Sequence, residues 1–412
     1  MLTAPRSRRC AMQVAAAAAA MSRLRPAHAA PATPLASPVA GDAADRVVAL
    51  TRQAMTSYGL NAAIVRVTID DRELLTEAFG ESMTGVPATP EMHFRNGAVA
   101  FSYLSTLLLQ FVDRTLVSLD DPLAKWEPKL PAADRITLRM LVTMTSGYFD
   151  YVQNQDLTSQ LYVDPFRQWT PEELIGFGVG KPLMFAPGTN WGYSHTNFVI
   201  LGLILEKVGG KPLAELMQTN IFDPLGLTGT AGGSTAVIPE PALHAFTSER
   251  REALGIKPGV RFLEESTYWN PSWTTAAGAI QTTTIYDLTT TAVAVGTGSL
   301  LSPESHQAQV APTLRGFGKL VAGCPTCFTQ NDVYTYGLGV ILSGNWLLQN
   351  PLYYGYAAVD AYLPAKKLAI ATAVTFTEAS FDAQGNYTPR NAAQNLFASI
   401  ANALAPDDPI PA

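Results

Sequence analysis

Few side chains in this chain have both the type and the spacing for covalent or acid–base chemistry. The pair with most potential is Tyr193-Ser194-His195. An imidazole exchanges protons near neutral pH, and a phenol two residues away can share that work. The competing reading is that both side chains fill space and hydrogen-bond locally. A serine nucleophile needs a base beside it, because its hydroxyl stays protonated at neutral pH. No Ser-x-x-Lys occurs in the 412 residues, and Ser248-Glu249-Arg250-Arg251 offers only arginines, which do not give up their protons. The chain has no Gly-x-Ser-x-Gly, no His-Glu-x-x-His and no Gly-x-x-x-x-Gly-Lys. Its five histidines (28, 93, 195, 244 and 306) are scattered, so no metal site and no cofactor is expected. Cys324-Pro-Thr-Cys327 lacks the second ligand pair of a zinc site and the strand–helix context of a redox motif. It reads as a small loop disulfide or two free thiols, and export would favour the disulfide.

The elements that must carry these residues can be read in outline. Asp45–Tyr58 has helical periodicity. Ala62–Ile69 and Glu73–Phe79 alternate as two strands around the turn Asp70-Asp71-Arg72. A dense apolar helix opens at Ala98 after a Gly97 turn and runs through Leu107–Val112. Tyr148–Trp169 reads as loop with short helices, and Phe198–Val208 and Pro212–Ile221 read as helices. Tyr334–Leu342, Leu352–Ala358 and Leu368–Thr377 are rich in β-formers, and Asn391–Leu404 is a last helix. Two strands early and three late, with helices between, predict one sheet built from both chain ends.

The stretch Phe94-Arg95-Asn96-Gly97-Ala98-Val99-Ala100-Phe101-Ser102, followed by Leu109-Gln110-Phe111-Val112-Asp113 and Ser118-Leu119-Asp120-Asp121-Pro122, carries a resemblance. It is similar to the frame Phe-Arg-x-Gly-Ser-x-x-Lys-Ser-Phe of the serine β-lactamase and DD-peptidase superfamily, nearest its class C-like branch. Thr145-Ser146-Gly147, Tyr193-Ser194-His195 and Ala277-Gly278-Ala279-Ile280-Gln281-Thr282-Thr283 fit the same family, over about residues 44–404. The resemblance implies an α/β (α+β) fold, an antiparallel sheet flanked by helices with an inserted helical region. It divides the domain 44–405 into an α/β part (44–97 and about 271–405) and a mainly helical part (about 98–270).

The family's chemistry needs a serine at the helix start, a lysine one turn on, a Tyr-x-Asn motif, and a Lys/His-Thr-Gly strand whose backbone helps bind the oxyanion. This chain departs from that pattern at each. Ala98 stands at the nucleophile position and Phe101 at the base. Tyr193 keeps the tyrosine, but His195 replaces the asparagine. Ser102 lies where the family commonly has a small polar residue, so its role is packing. Tyr354-Gly355-Tyr356-Ala357-Ala358-Val359 occupies the expected Tyr-Gly-His-x-Gly-Gly segment, with Tyr356 at the basic position and Ala358 at a glycine. Ala98, Phe101, Tyr193, His195, Tyr356 and Ala358 are therefore the candidate cleft residues.

The reading is a catalytically inactive family member that binds a ligand or partner in the former cleft: a small molecule or peptide, related to cell-wall peptides or esters. The alternative is an esterase- or peptidase-like hydrolase of residual or altered activity that uses Tyr193 and His195. A penicillin-hydrolysing enzyme is weaker still without the serine. A purely structural role would differ only in an empty cleft.

Composition bounds the partners. With 47% hydrophobic residues the chain can bury a large core, and no long uncharged apolar run outside the N-terminus predicts a membrane span. Arg6, Arg8 and Arg9 precede an apolar run Cys10–Met21, and Ala27-His28-Ala29 offers a small-x-small cleavage site. Residues 1–29 therefore read as a signal peptide, with Ser7-Arg8-Arg9 hinting at twin-arginine export. An Ala-rich tail on an intracellular protein is the plainer alternative. Residues 30–43, with Pro31, Pro34 and Pro38, read as a linker. Cleavage would remove five arginines and raise the formal charge from −6 to −11, which gives no reason to expect nucleic acid as partner. The assembly state is not legible.

Overall fold

The Asp70-Asp71 turn sets the first edge of the sheet. Both residues have positive φ, 51° and 60°, as a two-residue hairpin turn of matching twist demands, and Asp tolerates that conformation better than most residues. The turn joins β1 (Leu60–Ile69) to β2 (Arg72–Met83). The structure, a computed structural model, describes residues 38–388 and 390–411. The expected signal peptide and residues 30–37 of the expected linker lie outside the described residues.

Helix α1 begins at Pro38 and ends at Ser57. It therefore takes in residues 38–43, expected as linker, and starts ahead of Asp45. Proline is acceptable in a helix's first turn, and the alanines that follow are strong helix formers.

The late strands are β3 (Thr335–Tyr336), β4 (Ile341–Ser343), β5 (Trp346–Gln349), β6 (Tyr356–Leu363) and β7 (Leu368–Phe376). All pair antiparallel in the order β2-β1-β7-β6-β5-β4-β3, with Val86–Pro87 beyond β2 and Leu352–Tyr353 beside β6. The first strand pairs with the last, Ile64 opposite Ala373, so one sheet joins the two chain ends as expected. Two details differ. β5 was not foreseen, because Trp346–Gln349 is too short to show alternation. β6 also runs on to Leu363 instead of stopping at Ala358.

Period-two alternation along β7 divides the layers. Ala369 packs with Tyr362 and with Ala292 of α7 (Ile285–Thr297). Thr372 points the other way, its Oγ1 donating to the Ala393 carbonyl (3.4 Å) of α8 (Ala392–Leu404). α7 thus covers one face, while α8 and α1 cover the other. The approach of α7 is close enough that a Cβ on its Gly296 would lie 2.0 Å from the Tyr362 ring. The mainly helical part is centred on α2 (Val99–Asp113), whose residues from Val99 to Phe111 are all buried. Around it lie α3 (Leu138–Val142), α4 (Gln155–Val163), α5 (Pro171–Val179) and α6 (His195–Gly209).

Candidate ligand cleft

The cleft begins where the chain enters α2. Phe94 and Arg95 pair with Thr283 and Thr282, which fixes the approach. Gly97 then takes a φ of +46°, and a Cβ there would lie 2.9 Å from Pro351 Cβ. The position combines left-handed backbone with close approach, so glycine fits where other residues are strained. Ala98 follows as the N-cap with no side-chain hydrogen bond, since a methyl group cannot accept one. The backbone compensates: the N–H groups of Val99, Ala100 and Phe101 donate to the carbonyls of Asn96, Gly97 and Ala98 at 3.0–3.1 Å. Ala98 is half-buried, and its methyl has no exchangeable proton.

One turn on, Phe101 is 1% exposed. Its ring stacks on Phe198 with centroids 4.0 Å apart, meets His195 edge-on at 5.6 Å and lies 6.0 Å from Tyr193. An ammonium in that position would lose its water and gain only ring faces in return. Ser102 turns away from the cleft. Its Oγ donates to the Gly339 carbonyl (3.1 Å) and accepts from Gln349 Nε2 (3.3 Å), which is the packing role expected for it.

Tyr193 and His195 are brought together with centroids 5.2 Å apart. His195 is the first residue of α6, and a residue the sequence did not single out holds it there. Asp150, with a side chain 3% exposed, lies with Oδ1 3.0 Å from His195 Nδ1. The same oxygen accepts the His195 backbone N–H at 3.0 Å. Nothing in Phe149-Asp150-Tyr151 announces this pairing, which bridges 45 residues. His195 itself is 20% exposed at its side chain. Burial pushes the Tyr193 hydroxyl well above its ordinary value, and Tyr336, Tyr334 and Asp150 push it further in the same direction. Tyr193 therefore stays a phenol at neutral pH and can donate a proton but not act as a phenolate base.

Cys324 and Cys327 form a disulfide beside this pair. Cys327 Sγ lies 3.0 Å from where a Cβ on Gly192 would be, and Thr326 Oγ1 donates to the Tyr193 carbonyl at 3.1 Å.

Tyr356 and Ala358 are placed differently from the expectation. Both are buried in β6, and the Tyr356 hydroxyl donates to the Leu243 carbonyl (2.6 Å). Tyr356 takes no part in the ring cluster around Phe101. The segment that runs past the start of α2 is Gln349-Asn350-Pro351, with Gln349 against Ser102 and Pro351 against Gly97. The four residues of β5 show no alternation in the sequence, so sequence alone points to the next tyrosine-rich stretch instead. Beside it, Trp273, Tyr353 and Tyr354 form a second ring cluster, centroids 5.1–5.7 Å apart. The Tyr151 hydroxyl ties that cluster to the helical part by donating to the Trp273 carbonyl (2.8 Å). Among the described residues no group of three or more His, Cys, Asp or Glu is arranged to hold a metal ion. No described helix is long and apolar enough to cross a membrane.

Comparison with known proteins agrees with this architecture. The Beta-lactamase family model matches residues 47–394. Esterase EstB of Burkholderia gladioli is 26% identical over 234 residues, 54% of this chain and 59% of that protein. A D-aminopeptidase of Brucella anthropi is 32% identical over 182 residues, 43% of this chain and 33% of that protein. The matches thus span from about a third to about three fifths of these relatives' lengths. Among solved structures, the D-amino acid amidase of Ochrobactrum anthropi SV3 complexed with L-phenylalanine amide superposes with a TM-score of 0.74 at 20% identity, covering 89% of this chain and 99% of that one. At that identity the likeness concerns the fold.

Proposed function

This chain belongs to the beta-lactamase family, and we propose that within it the chain is a catalytically inactive member that binds a ligand in the former active-site cleft. The observation that carries this reading is the stack of Phe101 on Phe198 one turn after Ala98. Loss of the serine alone would leave a base without a nucleophile. Here the base position is also an aromatic contact of the core, so the two changes support each other. Members of such catalytic units act together, and removing them leaves only residual rate. The names of the relatives, which include penicillin-binding proteins, an aminopeptidase and esterases, suggest a peptide or ester as ligand. With residues 1–29 read as a signal peptide, the protein is exported to the periplasm, envelope or medium. Incubation with a fluorescent penicillin, followed by mass analysis, tests the inactive reading.

A second reading is favoured by one contact. Asp150 holds His195 at Nδ1, which leaves Nε2 as the atom able to take a proton from water. A histidine oriented by a carboxylate is a general-base arrangement. On this reading the protein hydrolyses activated esters slowly through His195, with Tyr193 as proton donor to the leaving group.

A further inference from the structure

Past Pro351 the chain leads into a groove of about 860 Å³, which Leu352 lines together with Tyr162 of α4, Glu249, Tyr387 and Arg390. The groove therefore opens one residue from the contact between Pro351 and Gly97. Glu249 is its most constrained charged group. Its Oε2 accepts hydrogen bonds from the Tyr387 hydroxyl and from Thr247 Oγ1, both at 2.8 Å. The Tyr387 hydroxyl accepts in turn from the Gly355 N–H at 2.7 Å. Oε1 has no hydrogen-bond partner among the described residues, and Glu249 lines the groove. One oxygen is thus anchored, and the other is left for something else.

Among the described residues no cation pairs with Glu249, and Arg390, which lines the same groove, forms no ion pair with it. Arg250, its neighbour in sequence, is spent on Glu264 (3.0 Å) and on the Tyr162 carbonyl (2.7 Å). Arg251 donates to the Lys257 carbonyl. A half-buried carboxylate without a cation is costly unless a charged or donating group completes it. The rings of Tyr162 and Tyr387 line the same groove, and aromatic faces attract a cation that a carboxylate also holds. Two carboxylates line the groove, Glu249 and the exposed Glu252, and with no third acidic, His or Cys ligand beside them they are a poor set for a metal ion, which needs several oxygen ligands. They suit an ammonium group. Val163, 79% exposed, and Leu352 supply apolar surface at the groove for the rest of such a ligand.

We propose that this groove binds a ligand through its ammonium group, with Glu249 Oε1 accepting from the N–H and Tyr162 and Tyr387 supplying aromatic walls. The inference goes beyond the ligand-binding reading above, since it names a neighbouring groove and the chemistry of what it holds. The shared chemistry is a primary ammonium, from a peptide's amino terminus or from a lysine side chain. Titration calorimetry of the full chain at pH 7.5 separates the sources with three probes: Ala-Phe, N-acetyl-Ala-Phe and Nα-acetyl-lysinamide. At least one of the two ammonium compounds binds tenfold or more tightly than N-acetyl-Ala-Phe. The tighter of them identifies the source. Glu249→Gln, which preserves side-chain size and an oxygen for Tyr387, weakens that binding at least tenfold. Tyr162→Leu, on the groove wall, weakens it several-fold and serves should the first variant fail to fold. Ammonium compounds binding no better than N-acetyl-Ala-Phe, or unchanged affinity in folded Glu249→Gln, overturn the proposal. Penicillin labelling of the native protein would remove the inactive reading and leave this binding result standing.

Discussion

Asp150 Oδ1 accepts two hydrogen bonds from one residue, from Nδ1 and from the backbone N–H of His195, each at 3.0 Å. The carboxylate thereby fixes both the ring and the first turn of α6. An anion near a helix N-terminus is also favoured by the peptide dipoles. The arrangement serves stability whether or not His195 does chemistry, so Asp150→Ala should destabilise the fold by about 1–3 kcal/mol, the cost of leaving buried donors unpaired. Urea unfolding measures this, and an unchanged midpoint would count against the contact.

The same pair separates the two functional readings. If the protein is inactive, hydrolysis of p-nitrophenyl acetate is the same for the native chain, His195→Ala and Tyr193→Phe. Rates that drop about tenfold or more in both variants would favour the general-base reading instead. Because Tyr193 is held as a phenol by burial, that activity should show no rise from tyrosinate formation across neutral pH.

Glu249 gives the fold a pH signature. Burial pushes its carboxyl up from 4.5 to about 7, against the lowering effect of Tyr387 and Thr247. A carboxyl whose folded value lies above its unfolded value binds more protons in the native state between the two. Its stabilising contribution is present in full below about pH 4.5 and is lost as pH rises toward 7. Thermal midpoints of the native protein and Glu249→Gln should therefore converge at pH 5 and differ most above pH 7, with the variant relatively more stable there. A constant difference across pH 5–8 would contradict the assignment.

Gly97 is predicted to resist substitution. Alanine there must adopt a φ near +46° and set its Cβ 2.9 Å from Pro351 Cβ. Strain of this kind costs roughly 1–3 kcal/mol. Gly85, also at positive φ but with open space around it, serves as the control: Gly85→Ala should cost less. Equal losses in denaturant midpoint for the two variants would show that the contact at Pro351 contributes nothing.

Much of this was legible because it is local. The Asp70-Asp71 turn, the apolar run of α2 and the Asn391 start of the last helix each declare themselves within a few residues. The sheet built from both chain ends followed from counting strands early and late. What was not legible depends on partners far away in sequence. Asp150 becomes notable only because His195 folds against it, and Glu249 only because Tyr387, 138 residues on, donates to it. Sequence alone points to Tyr356 and Ala358 for the cleft because β5 is four residues long and shows no period. Once it is seen, Gln349 and Pro351 occupy the place beside α2.

With Ala98 and Phe101 at the nucleophile and base positions, the proposed inactive reading allows no acyl-enzyme. Intact-mass and peptide analysis of the native protein after incubation with a penicillin and with a fluorophosphonate tests it most directly, with an Ala98→Ser/Phe101→Lys variant alongside. No mass increase is expected on the native chain. A stoichiometric adduct on a native peptide containing residue 98 or residue 194 would contradict it.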